Sequence, residues 1–221
     1  MSHNVHPYIH RMVTLRGWKS RWFAGGKKYR DLLLADTLIR EYLEKRLRGH
    51  YVSAVEIERS RKATRIIIKT SRPGMIIGRN GEGANKLKKD LLRYMSRNDI
   101  TMAEDFNIDI SDVENPDADA AIIGASIAEA LEKRMPFRRI MKQTAEKVIG
   151  VRGVEGVKIV LAGRLGGAEM SRTEAIKKGG IPLQFIRGDI DYARETARLP
   201  YGGIGIKVWV YKGDSLANSD K

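Results

Sequence analysis

The sequence contains no cysteine among its 221 residues, which excludes disulfide bonds and thiolate metal sites and fits a reducing compartment. It also lacks any apolar run near the roughly 20 residues that a membrane-spanning helix needs. Residues 1–10 are polar and have no apolar centre of the kind found in signal peptides. We therefore expect a protein without a membrane span, a secretion signal or a disulfide framework.

Negative charge is scarce relative to positive charge. The chain has 41 lysine and arginine residues against 27 aspartate and glutamate residues, which gives a net charge of +14 at pH 7. An excess of this size indicates a polyanionic partner. Nucleic acid is the first candidate and an anionic membrane surface the second, and the lack of an apolar segment disfavours the membrane. The length suffices for one or two domains with modest cores.

Glycine marks the most informative segment, residues 72–89. An apolar pair leads into the tetrapeptide Gly78–Gly81, and a basic amphipathic helix is predicted to follow. Glycine allows a ligand backbone to approach closely, and the free N–H groups at a helix start favour an anion. Arg79 adds a fixed positive charge. A Gly-x-x-Gly turn at a helix N-terminus is how KH modules clamp about four nucleotides of single-stranded RNA.

Three other interpretations of this segment compete with a KH loop. The spacing of Gly78, Gly81 and Gly83 is not that of a dinucleotide site, and no acidic ribose ligand follows a clear parallel strand. A P-loop is excluded because no Gly-Lys-Ser or Gly-Lys-Thr occurs. A plain helix–turn–helix corner capped by glycine stays open on the loop alone, so the flanking elements must decide.

The elements around the loop follow a recognisable order. Periodicity predicts helices and strands at 31–48, 52–58, 64–70, 82–95 and 106–111. If the glycine corner before residue 82 is counted as a short helix, the order is α-β-β-α-α-β. This is the order of a type II KH domain. We therefore predict such a domain over residues 31–114, in a two-domain chain of the α+β class.

A basic, aromatic and glycine-containing stretch over residues 1–30 shows no periodicity and predicts an extended arm. Arg16, Trp18 and Trp22 could pair with phosphates and stack on bases. The alternative, that the aromatic side chains only tuck the arm onto the domain, is equally open. We expect the segment up to about Arg16 to become ordered only against a partner.

Residues 115–213 predict a second α+β domain, in which two helices pack on a mostly antiparallel sheet. The helices and strands are expected at 115–134, 136–149, 157–161, 186–192 and 204–211. The first helix is expected to begin at an Asn115 N-cap. The glycine- and arginine-rich segment 162–174 holds few large apolar residues, so we expect it to lie against another molecule. The tail, residues 214–221, is expected to be disordered.

The second of these helices has two chemically different faces. At 100° per residue, Met141 and Val148 lie on its apolar face. Arg138, Arg139 and Lys142 share the opposite face. Exposed cations on a helix often serve only solubility, and that interpretation stays open. In a chain this basic, three on one face predict a contact with phosphates.

Residues that would support catalysis are few. His3, His6 and His10 cluster near the N-terminus without cysteine or paired carboxylates, so a metal site there is disfavoured. No Gly-x-Ser-x-Gly nucleophile elbow occurs. Asp189 and Asp191 share a strand face, but nearby arginines make ion pairs their more natural use. We therefore expect no catalytic residue, metal site, cofactor or small-molecule substrate.

Seven segments, in the same order over essentially the whole chain, carry a resemblance. They are His6–Pro7, Trp18 with Trp22–Ala24, Arg72–Glu82, Phe137–Lys142, Gly163–Glu169, Arg187–Tyr192 and Gly205–Lys212. With them the chain resembles the bacterial-type small-subunit ribosomal protein number three. The Gly-x-x-Gly motif alone is only moderately specific, whereas Gly163–Thr173 together with the Lys207–Gly213 ending is highly specific.

The resemblance implies a non-enzymatic RNA-binding protein in the head of the small ribosomal subunit, in the cytoplasm. Its partners would be small-subunit rRNA, neighbouring head proteins and mRNA. The face of Arg138, Arg139 and Lys142 would line the channel through which mRNA enters and is unwound. The residues expected to bind RNA are Gly78, Arg79, Asn80, Gly81, Lys86, Arg138, Arg139, Lys142, Arg164, Arg172, Arg16, Trp18 and Trp22.

Two positions depart from the family pattern. Asn80 stands where many members carry a second basic residue, which weakens a phosphate contact, and Ala175 stands where tryptophan is usual. Two other functions stay open. A free-standing KH regulator is disfavoured by the glycine- and arginine-rich loops of the C-terminal half. A nucleic-acid-processing enzyme would require an acidic metal-binding cluster, and the sequence suggests none.

Overall fold

The computed structural model describes residues 5–12, 14–60, 63–98, 100 and 105–214. Its helices are α1 (Pro7–His10), α2 (Lys27–Arg46), α3 (Pro73–Ile77), α4 (Glu82–Arg97), α5 (Ala120–Glu132) and α6 (Phe137–Ile149). Its strands are β1 (Ser20–Arg21), β2 (Val52–Arg59), β3 (Ala63–Thr70), β4 (Asp105–Asp112), β5 (Gly156–Gly163), β6 (Arg172–Gly179), β7 (Gly188–Leu199) and β8 (Gly202–Asp214). Within the described residues, no helix is both long and apolar enough to cross a membrane.

The chain forms two compact units, each with its own hydrophobic core. The first unit is Trp18–Glu114, and the second joins the described parts of Met1–Gly17 and Asn115–Lys221. Both units combine helices with a sheet, so the predicted α+β class is confirmed. The segment 1–30, expected to be one arm, divides between the two units.

The sheet of the first unit has the strand order β1-β2-β3-β4. Strands β2 and β3 pair antiparallel, and β3 pairs parallel with β4 after a crossover through α3 and α4. The predicted order α-β-β-α-α-β is confirmed by α2, β2, β3, α3, α4 and β4. Its core includes Ile39, Leu43, Ile57, Ile66, Ile68, Leu91, Met95 and Phe106.

A charged pair is buried inside this unit. Asp36 is 3% exposed, and its Oδ1 accepts hydrogen bonds from Nη2 of Arg59 at 2.6 Å and from Nε at 2.9 Å. Its Oδ2 accepts a hydrogen bond from the indole Nε1 of Trp22 at 2.7 Å. Both carboxylate oxygens are therefore satisfied, as a buried charge requires. The three side chains tie α2 to the end of β2 and to the segment that precedes α2.

Helix α2 differs from the prediction in its limits and in its apolar face. It begins four residues before position 31 because Gly26, with φ of 58°, makes the turn into the helix. The helical spacing of Leu34, Leu38, Tyr42 and Leu43 in the sequence predicts an apolar face that includes Leu34, but Leu34 is 54% exposed. The buried residues are Ala35, Asp36, Ile39 and Leu43. The apolar face was misplaced because a buried carboxylate interrupts its pattern, and carboxylates are usually exposed.

The sheet of the second unit has the strand order β6-β5-β8-β7, and all its pairings are antiparallel. Helices α5 and α6 pack on one face of it. The core that they share with the sheet includes Ile123, Ile127, Met141, Val148, Ile159, Leu161, Ile206 and Val208. The prediction of two helices on an antiparallel sheet is therefore confirmed.

The predicted start of α5 is wrong. The N-cap is Asp119 rather than Asn115, because the Asp119 carboxylate accepts hydrogen bonds from the N–H groups of Ala121 and Ile122, each at 3.0 Å. An aspartate that accepts two such bonds satisfies two of the orphan donors at a helix start. The segment from Pro116 to Ala118 forms a separate short 3₁₀ turn.

Two further expectations for this unit need correction. Residues 172–174, placed in a loop by the sequence, belong to strand β6, which was not predicted. Asp214, placed in the tail, is the last residue of β8. The rest of the predicted tail, residues 215–221, lies outside the described residues.

The N-terminal segment packs into the second unit rather than extending as an arm. Pro7–His10 form α1, which contacts β7. The side chain of Arg11, 0% exposed, donates from Nε to the carbonyl oxygen of Gly188 at 2.5 Å and from Nη2 to that of Phe185 at 2.8 Å. Burial lowers the pKa of the Arg11 guanidinium, and the nearby Asp189 partly opposes this. Arg11 therefore orders this segment from within the unit.

Candidate nucleic-acid interface

The Gly-x-x-Gly loop joins α3 to α4, and three of its four residues have left-handed backbone conformations. Gly78, Asn80 and Gly81 have φ of 70°, 51° and 77°. Asparagine adopts this region more readily than most residues because its short polar side chain can bond locally. This conformation gives a structural reason for Asn80. Gly81 directly precedes α4, so the unpaired N–H groups of the first turn of α4 lie next to the loop.

The tightest contact next to this loop is made by Gly83, the second residue of α4. A Cβ at Gly83 would lie 2.5 Å from the carbonyl oxygen of Ile76 and 2.9 Å from that of Ile77. A Cβ at Gly78 would lie 3.1 Å from the Gly83 nitrogen, whereas one at Gly81 would meet open space. The start of α4 therefore packs directly on the end of α3. Sequence reasoning named Gly83 only in excluding a dinucleotide site and missed this packing contact.

The loop is exposed and carries positive charge. Arg79 and Asn80 are exposed, and Lys86 lies on the exposed side of α4 one turn further along. Neither Arg79 nor Lys86 forms an ion pair with any residue that the structure describes. Glu82, in the first turn of α4, adds one negative charge. Backbone N–H groups and side-chain cations thus converge on a site that suits a phosphate.

Helix α6 carries the second group of predicted contact residues. Its buried residues are Ile140, Met141, Ala145 and Val148. Arg138, Arg139 and Lys142 are all exposed, so the predicted division of the helix into two faces is confirmed. Arg138 Nη2 lies 3.4 Å from Glu174 Oε1. Arg139 and Lys142 have no ion-pair partner in the described part of the chain, which leaves two charges available to an anion.

Arg172 of β6 lies beside this face. Its Nε is 3.2 Å from Glu174 Oε1, and its guanidinium carbon is 5.6 Å from the ring centre of Phe137. Arg138 is at the same distance, 5.6 Å, from that ring. Two arginines therefore share one carboxylate and one aromatic ring, so the cluster keeps a net positive charge.

The predicted contact residue Arg164 is part of a tight turn after β5. Its Nε donates to the carbonyl oxygen of Ala168 at 2.8 Å, which closes the turn. Gly166 and Gly167 have φ of 69° and 80°, and Leu165, 1% exposed, anchors the turn in the core. Part of the hydrogen-bonding capacity of Arg164 is therefore used within its own unit.

The predicted contact residues near the N-terminus have different environments. Arg16 Nη2 lies 2.6 Å from Asp189 Oδ1, and a quarter of its side chain is exposed. Trp22 donates its indole N–H to the buried carboxylate of the first unit. Trp18 and Phe23 are 60% and 97% exposed. Trp18 and Phe23 are thus open to base stacking, whereas Trp22 also has an internal role.

The features of a metal site are not found among the described residues, which hold no group of three or more His, Cys, Asp or Glu side chains placed to bind an ion. His3, one of the histidines considered above, lies outside those residues. Asp191 accepts a hydrogen bond from the N–H of Ala120 at 2.9 Å, and Asp189 is ion-paired. Both carboxylates therefore have structural partners.

Two known families match adjoining regions of the chain. The family described as "KH domain" matches residues 38–118, which contain the Gly-x-x-Gly loop. The family described as "Ribosomal protein S3, C-terminal domain" matches residues 127–210, which contain α6 and the second sheet. The predicted KH domain is thereby confirmed.

Relatives from several bacteria are similar over nearly the whole chain, and all are named small ribosomal subunit protein uS3. The protein of Clostridium botulinum (strain Alaska E43 / Type E3) is 43% identical over 98% of this chain and 95% of its own length. That of Caldicellulosiruptor saccharolyticus is 42% identical over 98% of this chain and 94% of its own length. That of Burkholderia cenocepacia (strain HI2424) is 42% identical over 100% of this chain and 80% of its own length.

Proposed function

Since the chain belongs to the uS3 family of small ribosomal subunit proteins, we propose that it is a structural, RNA-binding component of that subunit. It binds small-subunit rRNA and neighbouring proteins in the head and lines the channel through which mRNA enters, in bacterial-type cytoplasmic ribosomes. The observation that carries this proposal is that the similarity to uS3 extends over 98% of the chain and so includes both units. The family consists of ribosomal proteins rather than enzymes.

The geometry supports two separate RNA contacts in this proposal. The KH domain, residues 31–114, contributes the loop Gly78–Gly81, where glycines and helix N–H groups allow a phosphate backbone to approach closely. The ribosomal domain, residues 115–213, contributes the exposed cations of α6. These cations bind mRNA phosphates at the channel and help to open mRNA structure.

Replacing Gly81 with aspartate tests the loop contact. A Cβ at Gly81 meets open space, and aspartate tolerates a φ of 77°, so the fold should persist. The new carboxylate repels a phosphate by about 1 kcal/mol at an exposed site, which corresponds to roughly fivefold weaker binding. Gly81→Asn is the matched control because it has the same shape and no charge. Fluorescence anisotropy with a labelled oligouridylate should show the loss for aspartate alone, and equal affinities would contradict the loop contact.

Replacing Arg138, Arg139 and Lys142 together with alanine tests the α6 contact. All three are exposed, and surface changes usually alter the free energy of unfolding by no more than about 0.5 kcal/mol each. The slope of the logarithm of the binding constant for oligouridylate against the logarithm of the salt concentration should become less negative by up to about 0.7 per lost phosphate contact. In ribosomes that carry the variant, translation of an mRNA with a stable downstream hairpin should slow, while an unstructured mRNA is little affected.

Lys147→Ala is the control on the same helix, because Lys147 is paired with Asp117 at 2.6 Å outside the proposed contact. Sedimentation of both variants with the small subunit would show that assembly is intact. If the triple variant slowed both mRNAs equally, these residues would serve assembly or general rRNA docking, and their assignment to the mRNA path would be wrong.

A further inference from the structure

Among the paired strand positions of the second sheet, acidic residues lie on only one of the two faces. The carboxylates of Glu174, Asp191 and Glu195 lie on the face covered by α5 and α6. Glu174 contacts Arg138 of α6, and Asp191 accepts the N–H of Ala120 of α5. The Glu195 side chain lies 3.2 Å from where a Cβ on Gly124 of α5 would stand. Since side chains alternate along a strand, the neighbouring residues point to the other face, here called the open face.

The open face carries only positive charge along its strands. Strand pairing brings the alternate residues into rows across all four strands. Its charged residues are Lys158, Lys177, Arg194, Arg198 and Lys207, and its aromatic residues include Tyr192 and Trp209. Among the described strand positions of this face, none is an aspartate or a glutamate. One end is bounded by the N-terminal segment, where His6 packs edge-on against Tyr192 at 4.7 Å between ring centres.

Like charges stand directly opposite one another on this face. Lys158 pairs with Lys177 across β5 and β6, and Arg194 pairs with Lys207 across β7 and β8. Directly opposed like charges destabilise a sheet. None of these four side chains forms an ion pair with a residue in the described ranges. The repulsion is therefore uncompensated within the chain and would be relieved by a bound polyanion.

A flat row of small residues lies next to these charges. Thr173, Ala162, Gly205 and Thr196 stand side by side across the four strands. A Cβ on Gly205 would have its nearest neighbour at 3.8 Å, so no large side chain covers the row. Two rows further along the strands, Lys158 Nζ lies 5.1 Å from the ring centre of Trp209. The row leaves room for an extended backbone to lie on the sheet between flanking cations.

We propose that the open face is a further RNA-binding surface, which holds the sugar–phosphate backbone of an RNA strand along the small-residue row. Lys207 and Arg194 bind its phosphates from one side of the row. This inference rests on the proposal that the chain binds RNA, but it concerns a surface distinct from the KH loop and from α6. A protein partner fits less well, because protein interfaces centre on large buried anchors, whereas this row is small and its borders are charged.

The test neutralises one opposed pair in the full-length protein with the substitutions Arg194→Gln and Lys207→Gln. Loss of two phosphate contacts should flatten the salt dependence of oligouridylate binding by about 1.4 and weaken binding on the order of tenfold at low salt. The midpoint temperature of unfolding of the free protein should stay equal or rise, because a repulsive pair is removed. The matched control is Lys147→Gln with Arg152→Gln, which removes the same charge from exposed positions away from the open face.

The outcomes separate this inference from the proposed function. If the wild type binds oligouridylate and the Arg194/Lys207 variant binds equally well, the open face is not an RNA surface, although the KH loop remains one. If the Lys147/Arg152 control lost as much affinity for oligouridylate as the Arg194/Lys207 variant, the loss would be explained by net charge alone, and the proposal would be overturned. The proposal would also be overturned if the wild type bound poly-L-glutamate as tightly as oligouridylate and the variant lost both affinities by the same factor. The surface would then suit an acidic protein.

Discussion

Replacing Asp36 with alanine is expected to lower the free energy of unfolding of the first unit by roughly 3–5 kcal/mol. The side chains of Asp36 and Arg59 are only 5% and 6% exposed. Without the carboxylate, the Arg59 guanidinium would stay buried without a counter-charge, and the Trp22 indole N–H would lose its acceptor. Urea unfolding, with hydrogen exchange to assign the loss to Trp18–Glu114, measures the effect.

The double substitution Asp36→Leu with Arg59→Met is the control for this prediction. Replacing a whole buried ion pair with apolar side chains of similar volume is often neutral or stabilising. The double variant should therefore recover most of the loss, apart from about 1 kcal/mol for the hydrogen bond of Trp22. If Asp36→Ala alone lowered the free energy of unfolding by less than about 1 kcal/mol, water or a movement of Arg59 would be compensating for the lost carboxylate, contrary to the structure.

The order of elements in the first unit could be predicted because its signals are local. Alternating residues reveal β2 and β3, and the glycines at 78 and 81 reveal the turn before α4. The buried charges could not be predicted in the same way. Asp36 and Arg59 are 23 residues apart, and a charged residue is ordinarily expected at the surface. Only the fold brings the two together and gives each the partner that makes burial tolerable.

Strand β6 was not predicted because it is an edge strand with polar residues on both faces. Its only large apolar residue is Ile176. Edge strands often carry lysine, which discourages pairing with other chains, and they lose the alternation that reveals a central strand. The open face could not be inferred from the sequence for the same reason, since Lys177 lies opposite Lys158 only once β6 is paired.

The candidate RNA contacts were predictable where one helix or one turn determines them. The exposed cations of α6 follow from helical periodicity, and their exposure agrees with it. Contacts that depend on a distant partner were not predictable. Trp22 bonds to Asp36, and Arg16 pairs with Asp189, 173 residues away along the chain. Gly83 is required because α4 begins against the carbonyl oxygens of α3, which spacing alone does not reveal.

Replacing Arg11 with methionine is expected to destabilise the second unit by roughly 2–4 kcal/mol. Arg11 is fully buried and donates to carbonyl oxygens of Gly188, Phe185, Leu183 and Pro7. Methionine fills similar space but donates no hydrogen bond, so these buried acceptors would lose their partner. The loss is smaller than the sum of the bonds because a buried charge is removed as well.

Hydrogen exchange in the free protein locates this effect. The N–H groups of Phe185 and Gly188 bond within the turn that Arg11 holds, at 3.2 Å and 3.3 Å, and should exchange faster in the variant. The control Arg152→Met removes an exposed arginine and should change stability by no more than about 0.5 kcal/mol. In the wild type, residues around Arg11 should already be protected without RNA, contrary to the expectation of an arm that orders only on a partner. The opposite result would be unprotected amides around Arg11 in the wild type together with an unchanged stability of Arg11→Met. It would show that the Arg11 contacts do not hold in solution and that the sequence-based expectation was right.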